Sequence, residues 1–170
     1  ADRFAGIQPI AGNADYTAWT ARWGWNQPFP GRFDELRLWL QERQTARAFV
    51  ANLRNLPTYV LHGSGDTIVP PEHARGMVEA MRRENIPVEF REFPNVGHGG
   101  FPGLLTREAL AWVCGQRRDP APIRITWKAD RMRHGRAYWL RMIQKENPCD
   151  FAEVEATVTD PSRLVIRTRN

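Results

Sequence analysis

Serine is nearly missing. Ser64 and Ser162 are the only two in 170 residues, and neither lies in a Gly-x-Ser-x-Gly segment, so this chain encodes no serine nucleophile on that strand–turn–helix pattern. Lysine is as scarce: Lys128 and Lys145 are the only two among 24 basic residues. Such an arginine skew points to codon composition before it points to nucleic acid. The net charge of +5 is also uneven. Residues 124–145 hold seven basic groups and one acid, which places the surplus in the C-terminal part. The two cysteines, Cys114 and Cys149, match no metal or redox spacing and read as free thiols. No apolar run approaches the ~18–20 residues of a membrane-spanning helix. There is no basic-then-apolar leader and no initiator Met. The opening "ADRFAGIQPIAG" reads as the interior of a fold, so both ends are expected to be cuts.

What is present suits one domain with an appendage. Hydrophobic residues make up 42%, which supports a packed core. Residues 4–11 predict a short buried strand ending at Gly12, and the Trp-, Pro- and Gly-rich stretch 13–32 predicts a loop. Helical spacing of Phe33, Leu36, Leu40, Phe49 and Leu53 predicts a helix over 34–52 with Asp34 as its cap, stopped by Pro57. Residues 58–61 suit a strand buried on both faces. Residues 72–84 suit an amphipathic helix with Ala74, Met77, Val78 and Met81 inward and His73 outward, Pro70 and Pro71 preceding it. A strand over 88–93 and a helix over 106–114, burying Leu110, Trp112 and Val113, complete a β-α-β-α order and predict a parallel sheet.

After "RRDPAP" (117–122) the period becomes two. Ile123, Ile125 and Trp127, then Tyr138, Leu140 and Met142, then Val154, Ala156 and Val158, then Leu164 and Ile166 form four alternating runs. They predict an antiparallel meander over 123–169. The expected division is 1–118, a connector over 119–122, and a β-rich segment over 123–170.

The chemistry lies in "LHGSGDTIVPPEHA" and "PNVGHGG". Gly63, Ser64 and Gly65 predict a tight turn that lifts Asp66 beyond a strand end. Gly97, Gly99 and Gly100 predict that backbone crowds around His98. If the two strands are neighbours, both loops leave the same C-terminal sheet edge, where open α/β sheets place their sites.

These residues carry a resemblance. "LHGSGDTIVPPEHARGMVEAMRR" followed by "VEFREFPNVGHGGF" resembles the C-terminal half of an α/β-hydrolase of the prolyl oligopeptidase or esterase type. The opening segment resembles the stretch after that family's nucleophile helix, so the likeness covers roughly 1–116. The resemblance implies a partial α/β-hydrolase fold, three-layered with a mostly parallel sheet, here carrying an appended antiparallel β segment. It implies a serine peptidase or carboxylesterase in which Asp66 is the triad acid and His98 the base. Chain order in that fold is Ser, Asp, His, so the nucleophile and the oxyanion donors would lie upstream of Ala1. It calls for a small ester or peptide substrate, no cofactor, no metal, no nucleic acid and no membrane.

Plainer roles stand beside these. Asp66 could only brace its turn, and His98 could be an ordinary loop histidine. His62 reads as bonded to backbone in the turn. Trp19, Trp23 and Trp25 could line a substrate pocket or pack a lid. Trp127, Tyr138 and Trp139 among arginines could stack nucleic-acid bases, but a solvated sheet face is the simpler reading. The rival function is a binding module, or a dead hydrolase scaffold with a ligand- or nucleic-acid-binding tail.

Overall fold

A computed structural model describes residues 3–101 and 107–170. Its first part is α/β. Strands β1 (Tyr59–Gly63) and β2 (Glu89–Phe93) run parallel, with Gly63 opposite Phe93. Residues 4–11 add single parallel bridges, Ile7 to Thr58 and Ile10 to Leu61, on the other side of β1. All five β1 residues are buried. Alternation sends Tyr59 and Leu61 into a cluster with Phe93, Phe101 and Ala109, and sends Val60 against Ala74 and Val78. Helix α3 (Glu72–Arg83) thus covers one face of the strand. Helix α4 (Arg107–Gly115) packs Ala109 and Trp112 against the other.

Several expectations change here. The stretch 13–32 is not all loop. Helix α1 (Tyr16–Arg22) forms inside it because Asp15 caps it, its Oδ1 accepting the Ala18 amide at 3.0 Å. The helix expected over 34–52 is α2 (Arg32–Gln44), capped at Gly31, and it ends where Thr45 turns extended. Two 3₁₀ turns follow over Ala46–Leu53, kinked at Phe49. Asp34 lies in the first turn of α2 and its carboxylate instead accepts the Phe29 amide and the Arg37 guanidinium. Phe33, Leu36 and Leu40 face solvent. The stripe they form is left uncovered, and the buried residue of α2 is instead Gln41, which meets Thr20 of α1 across a polar seam. In α4 the buried residue is Ala109; Leu110 is exposed and Trp112 and Val113 are half-buried. The expected start of that helix at Thr106 lies outside the described residues.

The second part is antiparallel. Strands β3 (Arg124–Ala129), β6 (Ala152–Asp160) and β7 (Arg163–Arg169) form one sheet in the order β3-β6-β7. Three of the four alternating runs therefore share a sheet. The run over 138–143 does not, since β4 (Arg136–Ala137) and β5 (Leu140–Arg141) close a separate hairpin that turns at Tyr138, where φ is +54°. The hairpin covers the apolar face of the sheet, packing Ala137, Tyr138 and Leu140 on Ile125, Val154 and Ala156. Parallel pairing thus describes only the first hundred residues; the longer ladders are antiparallel.

The sheet docks on the 3₁₀ segment. The Asn52 amide donates to the Lys128 carbonyl at 2.9 Å and accepts the Lys128 amide at 2.7 Å, as a neighbouring strand would. The Asn55 side chain donates to the Arg124 carbonyl at 2.7 Å, and the Tyr138 hydroxyl donates to the Asn55 carbonyl at 2.9 Å. The Arg43 guanidinium lies 3.6 Å from the Trp39 ring centre and 4.6 Å from that of Phe151. Both cysteines are free and exposed. Among the described residues, no helix is long and apolar enough to cross a membrane.

Candidate active site

Because β1 and β2 are parallel neighbours in register, the loops after Gly63 and Phe93 leave the same edge. They touch closely. A Cβ on Gly63 would stand 2.0 Å from the Val96 carbonyl oxygen, so only glycine fits there. The Gly65 amide donates to that same carbonyl at 3.1 Å. Of the three glycines expected to be crowded around His98, only Gly100 is: a Cβ there would stand 2.8 Å from Val96 Cγ1, whereas one at Gly99 meets nothing within 4 Å and one at Gly97 comes no nearer than 3.8 Å. The tightest fit is made by the turn before Asp66, at Gly63.

Asp66 and His98 meet. The His98 Nδ1 lies 2.9 Å from Asp66 Oδ2. The carboxylate can only accept, so Nδ1 carries the proton and donates, leaving Nε2 as the basic nitrogen. Asp66 is fully buried at its side chain, whereas that of His98 is 42% exposed. The acid is therefore fixed and the base is reachable. Asp66 Oδ1 accepts the Ile68 and Val69 amides, each at 2.9 Å. Burial would raise the Asp66 carboxyl, but the His98 ring bond, the two amides and the His98 charge outweigh it and hold the group below its ordinary value.

His62 is bonded to backbone as expected, its Nε2 2.8 Å from the Val69 carbonyl. His73 is not on a solvent face. It is buried, and its Nδ1 accepts the Asp15 amide at 3.4 Å. Burial pushes its imidazole below the ordinary value; Asp15 and Glu72 oppose this, and His62 and Arg47 add to it. A helix-wheel reading of α3 alone misses this, because the segment that covers His73 comes from Asp15, 58 residues away.

Ser64 is committed elsewhere, its hydroxyl accepting the Asn95 amide at 2.9 Å. Ser162 donates to Asp160 in the β6–β7 turn. The tryptophans gather beside the acid turn. Trp19 donates its indole N–H to the Ile68 carbonyl at 3.2 Å, and Arg22 donates to the Thr67 carbonyl at 2.9 Å. Trp25 packs edge-on against Trp19 with ring centres 5.8 Å apart, and Trp23 lies 6.4 Å from Trp25. Trp23 and Trp25 remain exposed. Among the described residues, no three His, Cys, Asp or Glu side chains group as a metal site.

The model of the prolyl oligopeptidase family matches residues 1–113, a stretch that contains both loops and stops short of the antiparallel sheet. No curated protein matches the sequence. Among solved structures, a thermostable esterase is 20% identical with a TM-score of 0.41, covering 68% of this chain and 25% of that one. A puromycin-hydrolyzing peptidase from Mycobacterium tuberculosis is 20% identical with a TM-score of 0.44, covering 69% and 19%. An acetyl ester-xyloside bifunctional hydrolase from Caldicellulosiruptor lactoaceticus is 20% identical with a TM-score of 0.44, covering 65% and 39%. The chain thus spans between about a fifth and two fifths of the length of these proteins. With two thirds of its residues inside the family match, the loops of Asp66 and His98 among them, the chain belongs to the prolyl oligopeptidase family.

Proposed function

We propose that this chain is the acid-and-base part of a serine hydrolase that cleaves ester or peptide bonds through an acyl-enzyme. The observation that carries the reading is the 2.9 Å contact between Asp66 and His98 at the shared end of two parallel strands. In this reading a serine upstream of Ala1 attacks the carbonyl carbon. His98 Nε2 takes the serine proton and later returns it to the leaving group. Asp66 holds the tautomer and stabilises the imidazolium. The oxyanion donors belong to the same upstream part. Trp23 and Trp25 offer an aromatic wall for the acyl or leaving group beside the acid turn. The catalytic part is 1–118, the connector 119–122, and the β-rich part 123–170. The test is a longer form of the protein containing a Gly-x-Ser-x-Gly segment, assayed on p-nitrophenyl esters and peptide anilides. Turnover that vanishes in His98→Ala and in the serine variant supports the reading. Turnover indifferent to His98, or a natural upstream sequence lacking that segment, favours a scaffold.

A further inference from the structure

The geometry points to His62 as a positioning residue for Asp66, an inference that rests on the dyad reading above and adds a third ring to it. His62 is the fourth residue of β1 and is wholly buried. Its Nε2 faces the Val69 carbonyl at 2.8 Å. A carbonyl only accepts, so Nε2 carries the proton and Nδ1 is bare. That Nδ1 has no partner among the described atoms. A buried histidine whose second nitrogen finds no protein partner is a costly way to fill space, and an aliphatic side chain would avoid the cost. What the ring supplies is the Nε2 donor.

That donor acts on Asp66 from two directions. It lies 3.4 Å from Asp66 Oδ2, the oxygen that accepts the His98 Nδ1–H hydrogen bond, so it adds positive potential at that oxygen. It also fixes Val69 at its carbonyl, while the Val69 amide holds Asp66 Oδ1 at 2.9 Å. Strand β1 thereby reaches across its own turn and pins the residue that orients the carboxylate. Without the donor, the Val69 carbonyl is buried and unpaired, the 66–69 turn loosens, and Oδ2 can rotate away from His98.

The test uses the 170-residue chain itself, labelled with ¹⁵N, and reads the low-field Nδ1 proton of His98 by NMR. Asp66→Asn identifies that signal by abolishing it. His62→Gln keeps a donor of similar reach and should keep the signal. His62→Phe should move it upfield and speed its exchange with water about tenfold or more, while the amide spectrum of β3, β6 and β7 stays native. If the Phe variant does not fold, His62→Asn, whose amide is too short to reach Val69, takes its place. Loss in Phe or Asn with rescue by Gln supports the assignment. An unchanged signal in Phe or Asn overturns it and leaves the dyad standing, as does a wild-type His62 carrying its proton on Nδ1. Equal loss in Gln and Phe reduces His62 to packing and also overturns it. A wild-type spectrum with no Asp66-dependent signal removes the dyad reading and this inference together.

Discussion

The Ser64 hydroxyl accepts the Asn95 amide at 2.9 Å, tying the acid turn to the loop that carries the base. Ser64 therefore serves as a strut two residues from the acid. We predict that the 170-residue chain does not react with fluorophosphonate probes, and that Ser64→Ala costs about 1 kcal/mol of stability. Intact-mass measurement after probe treatment, with a denaturant melt of the variant, checks both. Stoichiometric modification at Ser64 would refute the assignment of the nucleophile to another segment.

In a longer form that carries the serine, His98→Ala should lower kcat about 10⁴-fold or more with little change in KM, because triad members act as a unit. Asp66→Asn should also be severe, since it removes the acceptor that sets the tautomer of His98. Steady-state kinetics on one activated ester measures both variants. An active His98→Ala enzyme would mean that another histidine is the base.

His73 makes a pH prediction. Its folded value lies below the ordinary 6.5, with burial as the leading cause. The unfolded chain therefore binds the proton more readily than the folded one. The contribution of His73 to stability is fully present above about pH 6.5 and is lost as pH falls through that value toward the depressed one. Urea melts at pH 8 and pH 5 should show a smaller stability loss in His73→Gln than in the parent chain. An equal loss in both would place the acid sensitivity elsewhere.

Gly63→Ala should destabilise at the upper end of the usual range for overpacking, about 3 kcal/mol, because the new Cβ meets the Val96 carbonyl oxygen at 2.0 Å. Gly99→Ala, with nothing within 4 Å, is the control and should stay within about 0.5 kcal/mol. Thermal melts of the two variants side by side decide it.

Asn52→Ala should cost about 1–3 kcal/mol, since it strips partners from both the amide and the carbonyl of Lys128. Amide exchange at Lys128 should accelerate while exchange at Leu61 in β1 does not. Uniform acceleration would indicate general unfolding instead.

What the sequence displayed was local. The apolar run at 58–61 lies in or beside β1, which continues to Gly63, and the stripe on α3 holds Ala74, Val78 and Met81 buried with Met77 half-buried, so each acts within one element. The Asp66–His98 contact was legible because two such elements share a pattern, strand then small-residue loop. The misses come from distant chain. Nothing near His73 announces that the Asp15 segment covers it. The helical spacing of Phe33, Leu36 and Leu40 is real, yet no described element covers that face. The cap at Asp15 was a usable sign of α1, masked by tryptophans and glycines that read as loop. The run at 138–143 alternates correctly, but Tyr138 takes a left-handed conformation and turns the chain there.

The docking of β3 on the 3₁₀ segment also bears on how the chain comes apart. The exposed residues 117–121 are the natural place for a protease to cut. Asn52, Asn55, Tyr138 and the stacked Arg43 all bridge the two sides of that cut. A single nick there is expected to leave a two-chain complex that those contacts hold together, so cleavage would cut the backbone without separating the parts.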